Sequence, residues 1–136
     1  MPSGRYDKFL GDYRVSDPAI ISVAVTRSLN TIYKISDRDN YLVNYSVSIE
    51  ATLSVTSGQL GTIFLEISPN GSTGWVEINR YTNGNTGTLM LGLNTVQTGT
   101  GGLSGCVPAG WSFRLRTANT TGTPTYTYNS GQEIAI

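Results

Sequence analysis

Glutamates are the residues of this chain whose type could support bond-breaking chemistry. Two carboxylates on either side of a glycosidic bond can hydrolyse it, one as the acid and the other as base or nucleophile. The candidates for such a pair are Glu50, Glu66, Glu77 and Glu133. Catalytic carboxylates need neighbours that shift their pKa values, and the sequence implies none here; we expect Glu66 and Glu77 to face solvent. A carbohydrate-active enzyme is therefore the least favoured of three hypotheses, and we expect no catalytic activity.

The chain has few of the residues that other catalytic sites and metal sites need. The chain has no His and one Cys, so no Ser–His or Cys–His nucleophile pair and no zinc site of the usual spacing can be built. The glycines at 99–102 precede no helix and no Lys, unlike a phosphate loop. Asp37, Asp39 and Asn40 resemble part of a calcium loop whose remaining ligands are missing, which favours a solvated turn. We expect no cofactor and no metal, and we expect Cys106 to be a small buried hydrophobe.

The charge balance argues against nucleic acid and membrane partners. Nine basic and nine acidic residues cancel, whereas a nucleic-acid-binding surface needs a dense basic patch. Arg114 and Arg116 share one strand face, but a pair of arginines is expected to be solvated. No apolar run approaches the roughly 20 residues of a membrane-spanning helix, and the N-terminus lacks the pattern of a signal peptide. We expect synthesis in a reducing cytoplasm, without secretion by the ordinary route.

The clearest structural signal is strict alternation at residues 41–55. Side chains of a strand point alternately to its two faces, so this segment predicts one long strand that is dry on one side. Its apolar positions are Tyr41, Val43, Tyr45, Val47, Ile49, Ala51, Leu53 and Val55. The opposite face carries mostly hydroxyls and amides, with Glu50 as its one carboxylate.

Further strands are predicted at the spacing of an all-β domain. They cover residues 20–26, 31–35, 63–68, 75–81, 89–96 and 111–118, with a last hairpin of 125–128 and 132–136. Turns are expected at 68–74, 82–87 and 119–124, and a glycine-threonine loop at 97–105. About eight strands and no helix predict an all-β antiparallel β-sandwich, with jelly-roll topology.

The N-terminal segment has neither helical nor strand periodicity. We expect residues 1–18 to form an extended arm and residues 19–136 to form the β-sandwich domain. Four large apolar or aromatic side chains of the arm are costly to leave in water, and we expect them to pack either on this domain or on a neighbouring protein. They are Tyr6, Phe9, Leu10 and Tyr13.

The second half of the chain carries a resemblance to a known group of proteins. Its hairpin at 65–75, its turn Val107-Pro108-Ala109-Gly110-Trp111 and its ending from 114 to 133 resemble small β-sandwich domains of tailed-bacteriophage particles. Such domains occur at tail-fibre tips and as capsid decorations, commonly as trimers. The resemblance covers about residues 60–136 and implies a non-enzymatic virion protein without a cofactor.

Two virion roles follow from these observations. The leading hypothesis is a capsid decoration or cement protein, a homotrimer held on other virion proteins partly by its arm. The alternative is a receptor-binding fibre or tip protein that recognises a host surface glycan or protein. Aromatic side chains beside amide-rich loops suit a sugar site. The residues expected to form that site are Asn70, Trp75, Tyr81, Asn83 and Asn119.

Overall fold

The structure is a computed structural model that describes residues 22–87 and 94–136, and these ranges contain eight β-strands and no helix. The strands are β1 (Ser22–Ala24), β2 (Tyr33–Lys34), β3 (Tyr41–Leu53), β4 (Gln59–Ser68), β5 (Val76–Asn85), β6 (Thr95–Val107), β7 (Ser112–Thr121) and β8 (Thr125–Ala135). No helix in the described ranges has the length and apolar character needed to cross a membrane. The expected arm, residues 1–18, and the start of the expected domain lie outside the described residues.

Two four-stranded antiparallel sheets form the sandwich, as predicted. The first sheet has the order β1-β8-β3-β6 and the second β2-β7-β4-β5. Among these strands only β4 and β5 are both consecutive in sequence and paired with each other. Every other sequential connection crosses between the sheets, which is the double Greek-key arrangement of a jelly roll. The predicted fold class is therefore confirmed.

The long alternating segment is the centre of the first sheet. β3 pairs along its whole length with β6 and over Tyr41 to Glu50 with β8. Its inward residues from Val43 to Ala51 are fully buried, and they meet inward residues of the second sheet such as Ile63, Leu65 and Phe113. Burying a side chain of this size contributes about 1.5–3 kcal/mol. The alternation therefore fixes which side of β3 faces the core.

The expected glycine-threonine loop is instead an edge strand. Residues 97–105 belong to β6, which pairs with β3 over all thirteen of its residues. Its inward positions include Gly99, Gly101 and Gly105, where a Cβ atom would collide with Tyr81 or Ile78 of β5. Large side chains from the opposite sheet fill the space that these glycines leave. The predicted strand at 89–96 lies mostly outside the described residues, and β6 begins at Thr95.

Three other boundaries differ from the prediction. β5 continues to Asn85, so the turn expected at 82–87 is largely strand, and β7 continues to Thr121. The last hairpin is a single strand, β8, in which Ser46 pairs with Ser130 but Val47 pairs with Tyr128. Asn129 is thus an extra residue of a β-bulge, and the chain does not reverse there.

A buried ion pair closes one end of the sandwich. Glu133 of β8, 3% exposed, accepts two hydrogen bonds from Arg27 at 2.9 and 2.7 Å and one from the Tyr45 hydroxyl at 2.6 Å. The Arg27 guanidinium also lies 4.6 Å from the ring centre of Tyr33 in β2. Because burial disfavours the phenolate, and the Glu133 hydrogen bond adds to this, the pKa of Tyr45 is raised. This cluster holds the link between β1 and β2 against the core.

Candidate functional site

Glu66, one of the four glutamates considered as catalytic candidates, lies on the outer face of the second sheet. Glu66 of β4 is 7% exposed and does not face solvent as expected. Its Oε1 accepts from Nε of Arg114 at 2.8 Å and from Nε of Arg116 at 3.0 Å, and its Oε2 accepts from Nη2 of Arg116 at 3.0 Å. The two arginines on one face of β7 are therefore ion-paired and half-buried, where solvated side chains were expected.

Aromatic rings complete this charged face. The Arg114 guanidinium lies 3.9 Å from the ring centre of Trp75, and that of Arg116 lies 4.4 Å from the ring centre of Phe64. The guanidinium of Arg80 in β5 lies 5.1 Å from the same Phe64 ring centre, and it donates two hydrogen bonds of 2.7 Å to Glu77. Arginine stacks readily on aromatic faces, so the outer face is a layer of alternating guanidinium groups and aromatic rings.

Glu66 and Glu77 are the nearest approach to a catalytic carboxylate pair. They are directly opposite each other on the paired strands β4 and β5. Burial favours the neutral form of Glu66, but the hydrogen bonds and charges of Arg116 and Arg114 outweigh it, so the pKa of Glu66 is lowered. A glycosidase acid needs the opposite, a raised pKa that keeps its proton near neutral pH. This geometry suits an ion-pair network better than acid catalysis.

The other two candidate glutamates stand apart from this face. Glu133 is held inside the sandwich by Arg27 and Tyr45. Glu50 is exposed on the outer face of β3, in the other sheet. In residues 22–87 and 94–136 no three His, Cys, Asp or Glu side chains lie close enough to hold a metal ion. Asp37 of the suspected calcium loop instead accepts a hydrogen bond from Lys34.

The outer face of the first sheet is nearly free of charge. Its outward side chains on β3, β6 and β8 are mostly hydroxyls and amides, with Glu50 as the one charged residue among them. A shallow pocket of about 230 Å³ opens on this face, next to the bulge at Asn129. Its lining residues are Ala24, Asn44, Ser46, Ser130, Gly131 and Gln132.

The five residues expected to form a receptor site are not gathered in one place. Asn70 lies in the loop after β4, where its Oδ1 accepts from the backbone N–H groups of Ser72 and Thr73 at 2.8 Å each. The Trp75 ring is covered by Arg114, and the Tyr81 ring points inward against the glycines of β6.

The other two expected site residues serve the fold. Asn83 and Asn119 lie in β5 and β7, not in loops. Asn83 donates to the carbonyls of Ile49 and Gln97, and Asn119 accepts from the Tyr126 hydroxyl at 2.6 Å. The arm residues Tyr6, Phe9, Leu10 and Tyr13 lie outside the described residues.

The position of Cys106 differs from the prediction. It was expected to be buried, but the thiol is exposed on the outer face of β6, opposite Leu42 of β3. Leu42 is itself 43% exposed, and Ile134 of β8 faces it from the other side. Three apolar or weakly polar side chains therefore form one row at the end of the otherwise hydroxyl-rich face.

Sequence reasoning missed the pocket on the first sheet. The residues that form it are small and polar, and 129–131 was interpreted as a hairpin turn because Asn, Ser and Gly favour turns. The length of segment 125–135 could have indicated one continuous strand in place of a hairpin. Residues 125–135 pair with β3 as one unit once a single extra residue is allowed at Asn129.

Comparison with known proteins gives one informative similarity. No family model matches the chain. The chain is 33% identical over 124 residues to uncharacterized protein 443R of Invertebrate iridescent virus 6. The alignment covers 85% of this chain but only 5% of the viral protein, so the chain spans about one-twentieth of that relative's length. The chain is similar to part of a viral protein.

Proposed function

We propose that this protein is a non-catalytic structural component of a virus particle, displayed on its surface as a capsid decoration or cement protein. The observation that carries the proposal is the jelly-roll topology, β1-β8-β3-β6 against β2-β7-β4-β5, in a chain similar to part of a viral protein. Jelly rolls are a recurrent architecture of viral capsid proteins. That the virus is a tailed bacteriophage rests on the resemblance of residues 60–136 alone.

The side chains support a role without catalysis. The buried glutamates Glu66 and Glu133 are each ion-paired with arginine, as in a structural network. The layer of Trp75, Arg114, Arg116 and Phe64 is rich in residue types favoured at the centres of protein interfaces. Such a surface suits contact with another virion protein or with a second copy of the chain.

The proposal includes assembly as a homotrimer held partly by the arm at residues 1–18. The row of Leu42, Cys106 and Ile134 gives the first sheet an apolar strip at one end, of the kind that contacts between subunits cover. The mass of the purified chain at micromolar concentration tests the trimer directly. Three copies are expected, and a monomeric mass would contradict it.

The copy number of the protein in purified particles tests the location. A number comparable with the major capsid protein supports decoration of the shell. Deletion of residues 1–17 should then leave a folded sandwich that no longer binds particles lacking the protein. Unimpaired binding of this truncated chain would refute the role of the arm, and absence of the protein from particles would refute the virion role altogether.

A receptor-binding module is the second candidate, and one observation favours it. The chain aligns with only 5% of a much longer viral protein, as a module of a long multidomain protein would. Binding modules are often carried on such long chains, and the neutral outer face of the first sheet suits an uncharged ligand. A copy number comparable with tail components, together with binding of the labelled protein to host cells, would favour this role over decoration.

A further inference from the structure

The β-bulge of β8 builds a pocket in an otherwise regular sheet. From Ala135 back to Ser130 the residues of β8 pair one for one with those of β3, and beyond the bulge Tyr128 pairs with Val47. The extra residue, Asn129, turns its amide away along the outer face, where Nδ2 donates to the Ser48 hydroxyl at 2.7 Å. Bulges re-aim side chains and are common beside binding sites. The pocket opens on the side of the bulge where Ser46 and Ser130 face each other.

Most polar side chains of the pocket make no hydrogen bond to another described residue. Asn44, Ser46, Ser130 and Gln132 present two amides and two hydroxyls, each able both to donate and to accept hydrogen bonds. Within the described residues, the side chains of Ser46, Ser130 and Gln132 make no hydrogen bond to the protein. Asn44 has only a long contact of 3.4 Å, accepted from Ser104. These groups are therefore available to a ligand.

Strand pairing fixes the backbone positions of the four residues that carry these polar groups. Asn44 pairs with Gln132 and Ser46 with Ser130, so the four side chains form two adjacent cross-strand pairs on the central strands of the sheet. Ala24 of β1, opposite Gln132, adds a small apolar wall. Because β3 and β8 are central strands of the sheet, the backbone positions of the four residues are set before a ligand binds, and only their side chains need to be ordered.

Charge and size define the class of ligand. None of the described residues that line the pocket is charged, so they offer no cation to a phosphate or an acidic sugar. A volume of about 230 Å³ is below the range of about 300–1,000 Å³ typical of sites for larger ligands. Dense hydroxyl and amide groups without charge match the hydroxyl-rich, uncharged surface of a single sugar ring.

We propose that Asn44, Ser46, Ser130 and Gln132 form a binding site for one neutral pyranose ring of a surface glycan. The site differs from the one predicted around Asn70 and Trp75, and it gives the receptor-binding role a defined location. The use of this site in recognition rests on the proposed receptor-binding role, but sugar binding can be measured on the purified chain. A shallow site of this kind binds one ring weakly, and several copies on one particle would raise the overall affinity by avidity.

Titration of the ¹⁵N-labelled full chain with glucose, galactose, mannose, N-acetylglucosamine and N-acetylgalactosamine tests the site by NMR. At least one sugar should give saturable shifts centred on the amides of Asn44, Ser46, Ser130 and Gln132. The Gln132→Ala variant should weaken that binding about tenfold, since a hydrogen bond to the ring is lost. Thr127→Ala is the matched control, since Thr127 is exposed on the same face of β8 beyond the bulge, and its binding should be unchanged.

Two results would overturn the proposal. One is the absence of saturable shifts at the pocket for all five sugars, and the other is binding that Gln132→Ala leaves unaltered. Gln132 is exposed, so unchanged thermal unfolding of the variant would confirm that its fold is intact. The copy number in particles is a separate measurement. A chain that binds sugar but is absent from particles would refute the virion role and support the site.

Discussion

The Asn83 side chain donates from Nδ2 to the backbone carbonyl oxygen of Ile49 at 2.8 Å, and so joins β5 of one sheet to the central strand of the other. The same nitrogen lies 3.3 Å from the carbonyl oxygen of Gln97 in β6. A second amide of β5, Asn79, donates to the Ser104 carbonyl at 3.2 Å. Along this edge of the sandwich, side-chain amides provide hydrogen bonds to backbone carbonyls of the facing sheet.

Asn83→Ala should lower the free energy of unfolding by about 1–3 kcal/mol, because the carbonyl of the buried residue Ile49 loses this donor. Urea unfolding at neutral pH measures the loss. Thr120→Ala is the control, since Thr120 is an exposed polar residue near the end of β7 whose side chain makes no hydrogen bond within the described residues. Equal effects of the two substitutions would show that the amide bridge contributes nothing.

Two adjacent glycines of β6 should respond in opposite ways to alanine. Gly101 faces inward, and a Cβ there would collide with the Tyr81 ring, so Gly101→Ala should cost about 1–3 kcal/mol through overpacking. Gly102 faces outward, where the nearest heavy atom to a Cβ would be Oδ1 of Asn44 at 3.9 Å. Gly102→Ala should therefore be neutral or stabilise by up to about 1 kcal/mol, since glycine is unfavourable within a strand.

Thermal melts of both variants test this contrast. In a Tyr81→Ala background, which removes the colliding Cγ and ring atoms, Gly101→Ala should cost less stability than it does in the wild type. Equal melting temperatures for the two single variants would contradict the orientation of β6.

Acid should weaken the ion-pair layer on the second sheet through Glu66. The pKa of Glu66 is lowered in the folded state, so its stabilisation is fully present above its ordinary pKa, about 4.5, and is lost as the pH falls through the folded value. The wild-type chain should therefore lose more stability below about pH 4.5 than Glu66→Gln does. At neutral pH Glu66→Gln should be less stable by about 1.5–3 kcal/mol, the contribution of hydrogen bonds to a charged group.

Urea unfolding across this pH range measures the difference. Glu77→Gln is the matched control, because Glu77 is ion-paired on the same face but with the more exposed Arg80. At neutral pH Glu77→Gln should lose less stability than Glu66→Gln, because an exposed ion pair contributes little. If the free energies of unfolding of Glu66→Gln and of the wild type fell in parallel as the pH is lowered, the stabilising role of the Glu66 carboxylate would be contradicted.

Cys106 should react with a thiol reagent in the folded monomer. Its side chain is exposed on β6, so labelling by 5,5′-dithiobis(2-nitrobenzoic acid) should approach the rate seen in urea. Cys106→Ser should change the free energy of unfolding little, since substitutions at exposed positions have small effects. Labelling that occurs only on unfolding, at a concentration where the chain is a monomer, would contradict the exposed position.

The sequence predicts the parts of this fold in which each strand shows its own pattern. β3 has apolar residues at every second position, so its inward face can be identified without any knowledge of its partners. β6 cannot be identified in this way, because Gly99, Gly101 and Gly105 face inward and the side chain that fills much of the space belongs to Tyr81 on another strand. The complementarity exists only once the two sheets are stacked.

Other differences have the same origin in strand pairing. Burial of Glu66 depends on β4 lying beside β7, which brings Arg114 and Arg116 to it, and no local pattern encodes that neighbour. The exposure of Cys106 was accessible from the sequence, however. Counting every second residue from Leu103 places Gly105 and Val107 inward and leaves Cys106 outward, as the structure shows.

The pairing of Ser22 with Ile134 has a consequence for how such a domain can be joined to other chains. These two residues lie in the first and last strands and are directly opposite each other in neighbouring strands. Neighbouring strands are about 4.8 Å apart, so the first described strand begins almost where the last strand ends. A domain with adjacent entry and exit points can be inserted into a surface loop of a host protein without forcing that loop apart.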